Sequence, residues 1–211
     1  MKKKHHHKIS IAGNNEHQIK ELIAAETARI FVSEHGGDLL IAKRKAAERV
    51  GCHDARCMPS NEEIETAIQT YQRVFSTDQQ KSTLADIQNK AIEAMIFFER
   101  FKPKILGALV NGTATIHSTI YLHLYTDHAE EVDWYLMENK IPHDAFNKTY
   151  YLNNQNKSST FPAYGFIAEE TPIELAVFPE VVMRQPIRCS PKGQQLVRKS
   201  LSKFKQILGS V

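Results

Sequence analysis

Residues 109–127, LVNGTATIHSTIYLHLYTD, join a glycine turn to an alternating run. Successive side chains of a strand point to opposite faces. Thr119, Tyr121, His123 and Tyr125 would therefore share one side and Ile120, Leu122 and Leu124 the other. The aliphatic side needs only a core. The other side gathers an imidazole, phenols and a hydroxyl, a set suited to lining a pocket. Further on, Glu174 stands among Ile173, Leu175, Ala176 and Val177, where burying an acid without a partner is costly. Glu174 could pair with His123 while Thr113 and the amides near Gly112 hold an anion in the turn. Alternatively, His117, His123 and Glu174 could form a metal centre, joined by Asp127 if the strand end bends inward. Imidazole with carboxylate suits zinc, manganese or iron better than magnesium. A third reading leaves His123 and the tyrosines as sheet packing and His117 as a turn residue.

Other groups could serve the same cleft. Arg184 and Arg188 follow the last long apolar run closely, and the guanidinium fork matches phosphate. Ser190, Lys192 and Gly193 could present an anion to the N-terminus of a following helix. The stretch lacks the glycine and lysine pattern of a P-loop, so an ATPase is not indicated. Tyr150, Tyr151, Phe161 and Tyr164 could stack a base, though such residues are also ordinary in strands. Lys43, Arg44, Lys45 and Arg49 could make a phosphate-facing patch or a solvated helix face. Cys52, His53 and Cys57 lie close in sequence without a second ligand pair, which favours reduced thiols over a zinc site.

These residues must be positioned by two kinds of element. Residues 9–102 read as helical. Ile19, Leu22, Ile23 and Ile30 follow a helical period, and Asp38 and Gly51 are placed to cap a second helix. Ser60 and Glu63 have the spacing of a capping box, and a fourth helix over 84–101 should stop before Pro103. After Pro103 the pattern changes: strands are expected at 104–110, 119–126, 148–152, 163–169 and 171–179. A helix is expected over 128–141, a hairpin turn at Glu169-Glu170-Thr171, a mobile loop over 153–160 and a closing helix over 192–208. The fold class is α+β: an N-terminal helical region, a small mixed-sheet domain over 103–211 and a C-terminal helix. The basic stretch over 1–8 is expected to be a flexible tail, whether or not it is native to the protein.

On these residues the chain resembles the nucleotidyltransferase fold of polymerase-beta-like enzymes, in particular the small bacterial domains, over residues 103–179. That family carries a strand, a Gly-Ser turn, a following strand with an Asp-x-Asp pair, and a third acid on a later strand. Gly112-Thr113 is similar to the turn, and His117-Ser118-Thr119-Ile120-Tyr121-Leu122 to the acid-bearing stretch. Glu174 matches the third acid. The resemblance implies a nucleotide or nucleic-acid phosphate as ligand, with Gly112, Thr113 and Ser118 as contacts and a divalent metal as cofactor; Arg184 and Arg188 lie beyond the matched stretch and would join the contacts by their own chemistry. However, Thr119 and Tyr121 stand where the metal-binding acids belong, and neutral hydroxyls make poor ligands for hard cations. Conventional two-metal transfer is therefore not expected.

Charge adds a second class of function. The 211 residues carry a net +3, but unevenly. Beyond Val181 stand Arg184, Arg188, Lys192, Arg198, Lys199, Lys203 and Lys205 and no acid, so the middle of the chain is acidic. The basic end could contact RNA in a non-enzymatic binding or protein-interaction module, or could simply suit the C-terminal end of a helix dipole. A metal-dependent enzyme using His117, His123 and Glu174 is the third class. No apolar run approaches the ~20 residues of a membrane span, and a cytoplasmic protein is expected.

Overall fold

The computed structural model describes residues 6–34, 38–52, 54–75, 78–115, 117–152, 158–191 and 193–209, with side chains described outside 6–15 and 78–83. The chain divides into two compact units, Met1–Lys81 and Ser82–Val211. The boundary expected at residue 103 thus lies earlier, because the fourth helix packs its apolar face into the core of the sheet unit.

The first unit holds α1 (His6–Ser33), α2 (Leu39–Val50) and α3 (Asn61–Phe75). The start of α1 takes in residues expected to belong to a flexible tail. α2 begins where Asp38 accepts a hydrogen bond from the Leu40 amide and ends at Gly51, whose positive φ of 78° turns the chain so that the Cys52 amide also reaches the Ala47 carbonyl, at 3.1 Å. At α3 the Glu63 carboxylate accepts from the Ser60 amide and the Ser60 hydroxyl from the Glu63 amide, which forms the capping box. Ile23, Ile30, Ala42 and Ala46 form one small core and Ala28, Ile64 and Ile68 another.

The second unit begins within α4 (Asp78–Phe97), which a 3-10 turn (Glu99–Phe101) follows. A seven-stranded mixed sheet follows, built of β1 (Lys104–Leu106), β2 (Ile120–Tyr125), β3 (Asp144–Leu152), β4 (Ser158–Ala168), β5 (Thr171–Phe178), β6 (Ile187–Arg188) and β7 (Arg198–Lys199). Their spatial order is β6-β3-β4-β5-β2-β1-β7. Only the central pair β2 and β5 is parallel; α6 (Glu130–Glu138) begins the connection between them. The two edge strands come close at their ends, since the Leu196 amide donates to the Ile187 carbonyl at 2.8 Å. The sheet therefore curls into a half-barrel.

Three expected elements differ. The apolar run 104–110 is split by Gly107, at φ 80° and ψ −151°, into β1 and a single-turn helix α5 (Ala108–Asn111). The expected closing helix is shorter, α7 (Leu201–Leu208), because Arg198 and Lys199 instead pair with the free edge of β1. β4 starts at Ser158, inside the loop expected over 153–160, and residues 153–157 lie outside the described residues. The expected hairpin turn is formed by Glu169 and Glu170, both at positive φ, as the twist of paired strands favours.

The outer face of the sheet carries the main core. Ile120, Leu122 and Leu124 of β2 and Ile173, Leu175 and Val177 of β5 pack with Ala91 and Met95 of α4, Phe98 just after it, Val132 and Leu136 of α6 and Phe204 of α7. The inner face holds a second core of Tyr125, Tyr150, Phe161, Phe178, Val182 and Ile187. Among the described residues no helix is long and apolar enough to cross a membrane.

Candidate functional site

The register of the strands determines which side chains share the concave face. Lys104 of β1 lies opposite His123 of β2, and Leu106 lies opposite both Tyr121 of β2 and Arg198 of β7. Tyr121 is paired with Glu174 of β5, and Glu174 with Gly165 of β4. Lys148 of β3 sits opposite Phe161. Because paired residues point the same way, Lys104, Tyr121, His123, Lys148, Glu174 and Arg198 all face into the half-barrel.

Glu174 is not paired with His123. Its carboxylate accepts a charge-assisted hydrogen bond from the Lys148 ammonium, in an ion pair with Glu174 19% and Lys148 35% exposed. The same ammonium lies 5.4 Å from the centre of the Tyr121 ring. One internal cation thus spans the acid and the phenol that stand where a metal-binding set was expected. Two aromatic rings reach the surface here, Tyr121 of the trio at 36% and Phe146 beside it at 37% exposure. Each lies over a glycine: a Cβ on Gly107 would come within 3.2 Å of Tyr121 Cδ2, and one on Gly165 within 3.3 Å of Phe146 Cε1. The bare backbone leaves room for the rings.

His123 lies on the expected face but deep within it, 2% exposed, with neither ring nitrogen hydrogen-bonded. Its ring packs at 4.6 Å from Phe178 and 5.4 Å from Tyr150. Burial pushes its pKa down to about 3, and the charges of Arg198, Lys148 and Lys104 push the same way. It is a neutral imidazole at pH 7. His117 lies at the surface, and Asp127 is used elsewhere, accepting from the Glu180 amide at 3.1 Å. His117, His123 and Glu174 do not converge, and among the described residues no group of three His, Cys, Asp or Glu side chains is placed to hold a metal.

The expected phosphate turn is also committed to the fold. The Thr113 amide donates to the Ala108 carbonyl at 3.0 Å, and Gly112, at φ 69°, caps α5. Thr113 is buried. The Ser118 hydroxyl accepts from the Thr115 amide at 2.8 Å, which closes a local turn. The glycine that directly follows the first strand is Gly107, not Gly112. Nor do the expected stacking residues form an exposed platform: Tyr150 and Phe161 belong to the inner core and Tyr164 to the outer one, while Tyr151 is half-buried. Ser190 and Gly193 do not lie at a helix N-terminus, since β7 separates them from α7; Lys192 lies outside the described residues.

Of the expected arginines, Arg188 donates to the Pro191 carbonyl at the β6 edge, where it is paired with Tyr151. Arg184 stands at a pocket of about 520 Å³, together with Lys104 and Arg198, two cations that sequence reasoning did not single out for this site. Lys104 stood in an apolar strand and Arg198 in what read as a helix, so neither pointed to a cleft. In the helical unit, Lys45 is paired with Glu34 and Arg49 with Glu26, which accounts for half of the basic patch. Cys52 and Cys57 are free thiols, and the Cys57 thiol is pushed up to about 11 by its contact with Cys52 and by burial; His53 lies outside the described residues.

No family model matches this chain, and comparison with curated proteins and with solved structures returns no match either.

Proposed function

We propose that the sheet unit is a nucleotidyltransferase-like module that binds a nucleotide or a nucleic-acid phosphate without the two-metal chemistry of that family. The observation that carries this reading is the Lys148–Glu174 ion pair beside Tyr121 on the central parallel strands. In the resemblance these strands carry the carboxylates that hold divalent metal against nucleotide phosphates. Here the one acid is already neutralised by an ammonium, and its neighbour is a neutral phenol. A fixed internal cation does part of a metal's electrostatic work: it neutralises the carboxylate, so that a phosphate placed there meets no net negative charge. It cannot hold an open coordination position or activate a hydroxyl, so binding is retained and transfer is not supported.

The surroundings fit this assignment. The concave face carries Lys104, Lys148 and Arg198 against Glu174 and, at the start of β3, Asp144, an excess of positive charge that attracts phosphates. Tyr121 and Phe146 offer exposed rings on either side of the ion pair, and aromatic faces stack bases without regard to sequence. A strand, a turn region and a second strand (β1, residues 107–119, β2), with Glu174 on the later strand β5, support the reading.

Calorimetric titration with each of the four ribonucleoside triphosphates tests the reading. Saturable binding is expected, weakened at least tenfold in Lys148→Met, because the loss of one charge-assisted contact corresponds to about 1.5–3 kcal/mol. An absence of heat across the whole set would sink the proposal.

A further inference from the structure

The Lys104, Arg184 and Arg198 pocket lies apart from the Lys148–Glu174 pair, towards the other end of β2, where Lys104 Nζ stands 5.5 Å from the Tyr125 ring centre. Its charge is not compensated from within. Lys104 donates to the Met183 carbonyl at 2.9 Å, and Arg198 donates to the Tyr125 hydroxyl and the Gln185 carbonyl. These acceptors are all neutral. Arg184 makes no ion pair among the described residues, and no carboxylate lines the pocket. Glu180, on the turn just before Arg184, is paired with Lys102 instead. Burial and the nearby Arg198 and Arg184 all lower the pKa of Lys104, as expected where positive charges are gathered without an anion.

Holding like charges together in a half-buried concavity is unfavourable unless an anion is bound there for part of the time. Neutral carbonyl and phenol acceptors fix the Lys104 ammonium and the Arg198 guanidinium in place while leaving their charge available. Two guanidinium forks and an ammonium suit the several oxygens of a phosphate group better than a single carboxylate. Met183 and Leu196 add apolar walls and Gln195 an amide, so the cavity can hold more than an inorganic ion.

We infer that the pocket formed by Lys104, Arg184 and Arg198 is an anion site for the phosphate or diphosphate group of a small phosphorylated ligand. It is separate from the Glu174 site and does not depend on that site's assignment. The shape favours a small ligand over a nucleic-acid backbone, because the cations line a concavity.

The test uses the full chain and sodium pyrophosphate as probe, titrated calorimetrically against sodium chloride of matched ionic strength. Saturable binding is expected, at least tenfold weaker in Arg184→Gln and unchanged in Lys203→Gln, which removes the same charge from the exposed face of α7. Arg184 is exposed, so its replacement should leave the fold intact, as Trp134 fluorescence will verify. Binding no stronger than with matched chloride, or equal binding by Arg184→Gln and the parent, overturns the inference. So does binding of an RNA oligonucleotide that depends on Arg184 when pyrophosphate does not bind. Loss of pyrophosphate binding with nucleotide binding intact would leave the Glu174 reading standing; the opposite pattern would remove that reading and keep this one.

Discussion

Replacing His123 by leucine should leave the sheet unit as stable as before or stabilise it at neutral pH, and the gain should grow as the pH falls. His123 is 2% exposed with both nitrogens unpartnered, and an unpaired buried polar group costs about 1–3 kcal/mol. Leucine has a similar volume, and a shape change of this kind costs under about 1.5 kcal/mol, so the balance at pH 8 is roughly zero to +2 kcal/mol. Acid adds to it. The folded pKa of about 3 lies below the usual value near 6.5, so between these values the unfolded chain binds a proton that the folded chain does not. Parent stability is therefore full above about pH 6.5 and declines as the pH falls towards 3. At pH 5 the loss is about 2 kcal/mol, from 1.36 kcal/mol for each pH unit below the unfolded pKa. Leucine does not titrate, so the difference between the two proteins should widen by about that amount from pH 8 to pH 5. Urea unfolding followed by Trp134, the one tryptophan of the chain and part of α6 in this unit, measures it. A variant less stable by more than about 2 kcal/mol at pH 8, or a difference that does not change with pH, would refute the picture of a neutral, unpartnered imidazole.

Further outcomes follow from single contacts. Gly107→Ala should destabilise the sheet unit by about 1–3 kcal/mol in urea unfolding, since its φ and ψ are suited to glycine and the new Cβ would press on Tyr121; an unchanged midpoint would count against that strain. His143, hydrogen-bonded to the Ile141 carbonyl and the Asp133 carboxylate, has a raised pKa, so its contribution is present below about pH 6.5 and is lost as the pH rises through its folded pKa. Thermal midpoints of the parent should accordingly fall relative to His143→Gln as the pH rises above about 6.5, and parallel curves would contradict this. In the helical unit, Ser60→Ala should remove about 1 kcal/mol by breaking the capping box, as read by denaturant unfolding under circular dichroism.

What could be read from the sequence was local. The Asp38 and Gly51 caps, the Ser60–Glu63 box and the Glu169-Glu170 turn each depend on a few neighbouring residues, and each is found in the structure. The alternation in β2 likewise put Tyr121 and His123 on one face. Non-local pairing was not legible. Helical period identified α4 but not its partner, so the unit boundary was placed too late. Residues 193–199 contain nothing that forbids a helix, yet the open edge of β1 takes Arg198 and Lys199 into a strand. The Lys148–Glu174 pair joins residues 26 positions apart on strands separated by β4, and only the register reveals it. The register also decides between the alternatives for His123: Glu174 is taken by Lys148, and the imidazole is left as packing within the sheet.

In the proposed reading the Lys148 ammonium occupies the place a divalent cation would take beside Glu174. The affinity of the intact chain for a nucleoside triphosphate, measured by calorimetry in excess EDTA and again in excess magnesium, tests it most directly. Binding of similar strength in both conditions is predicted. Binding that appears only when magnesium is present would contradict it.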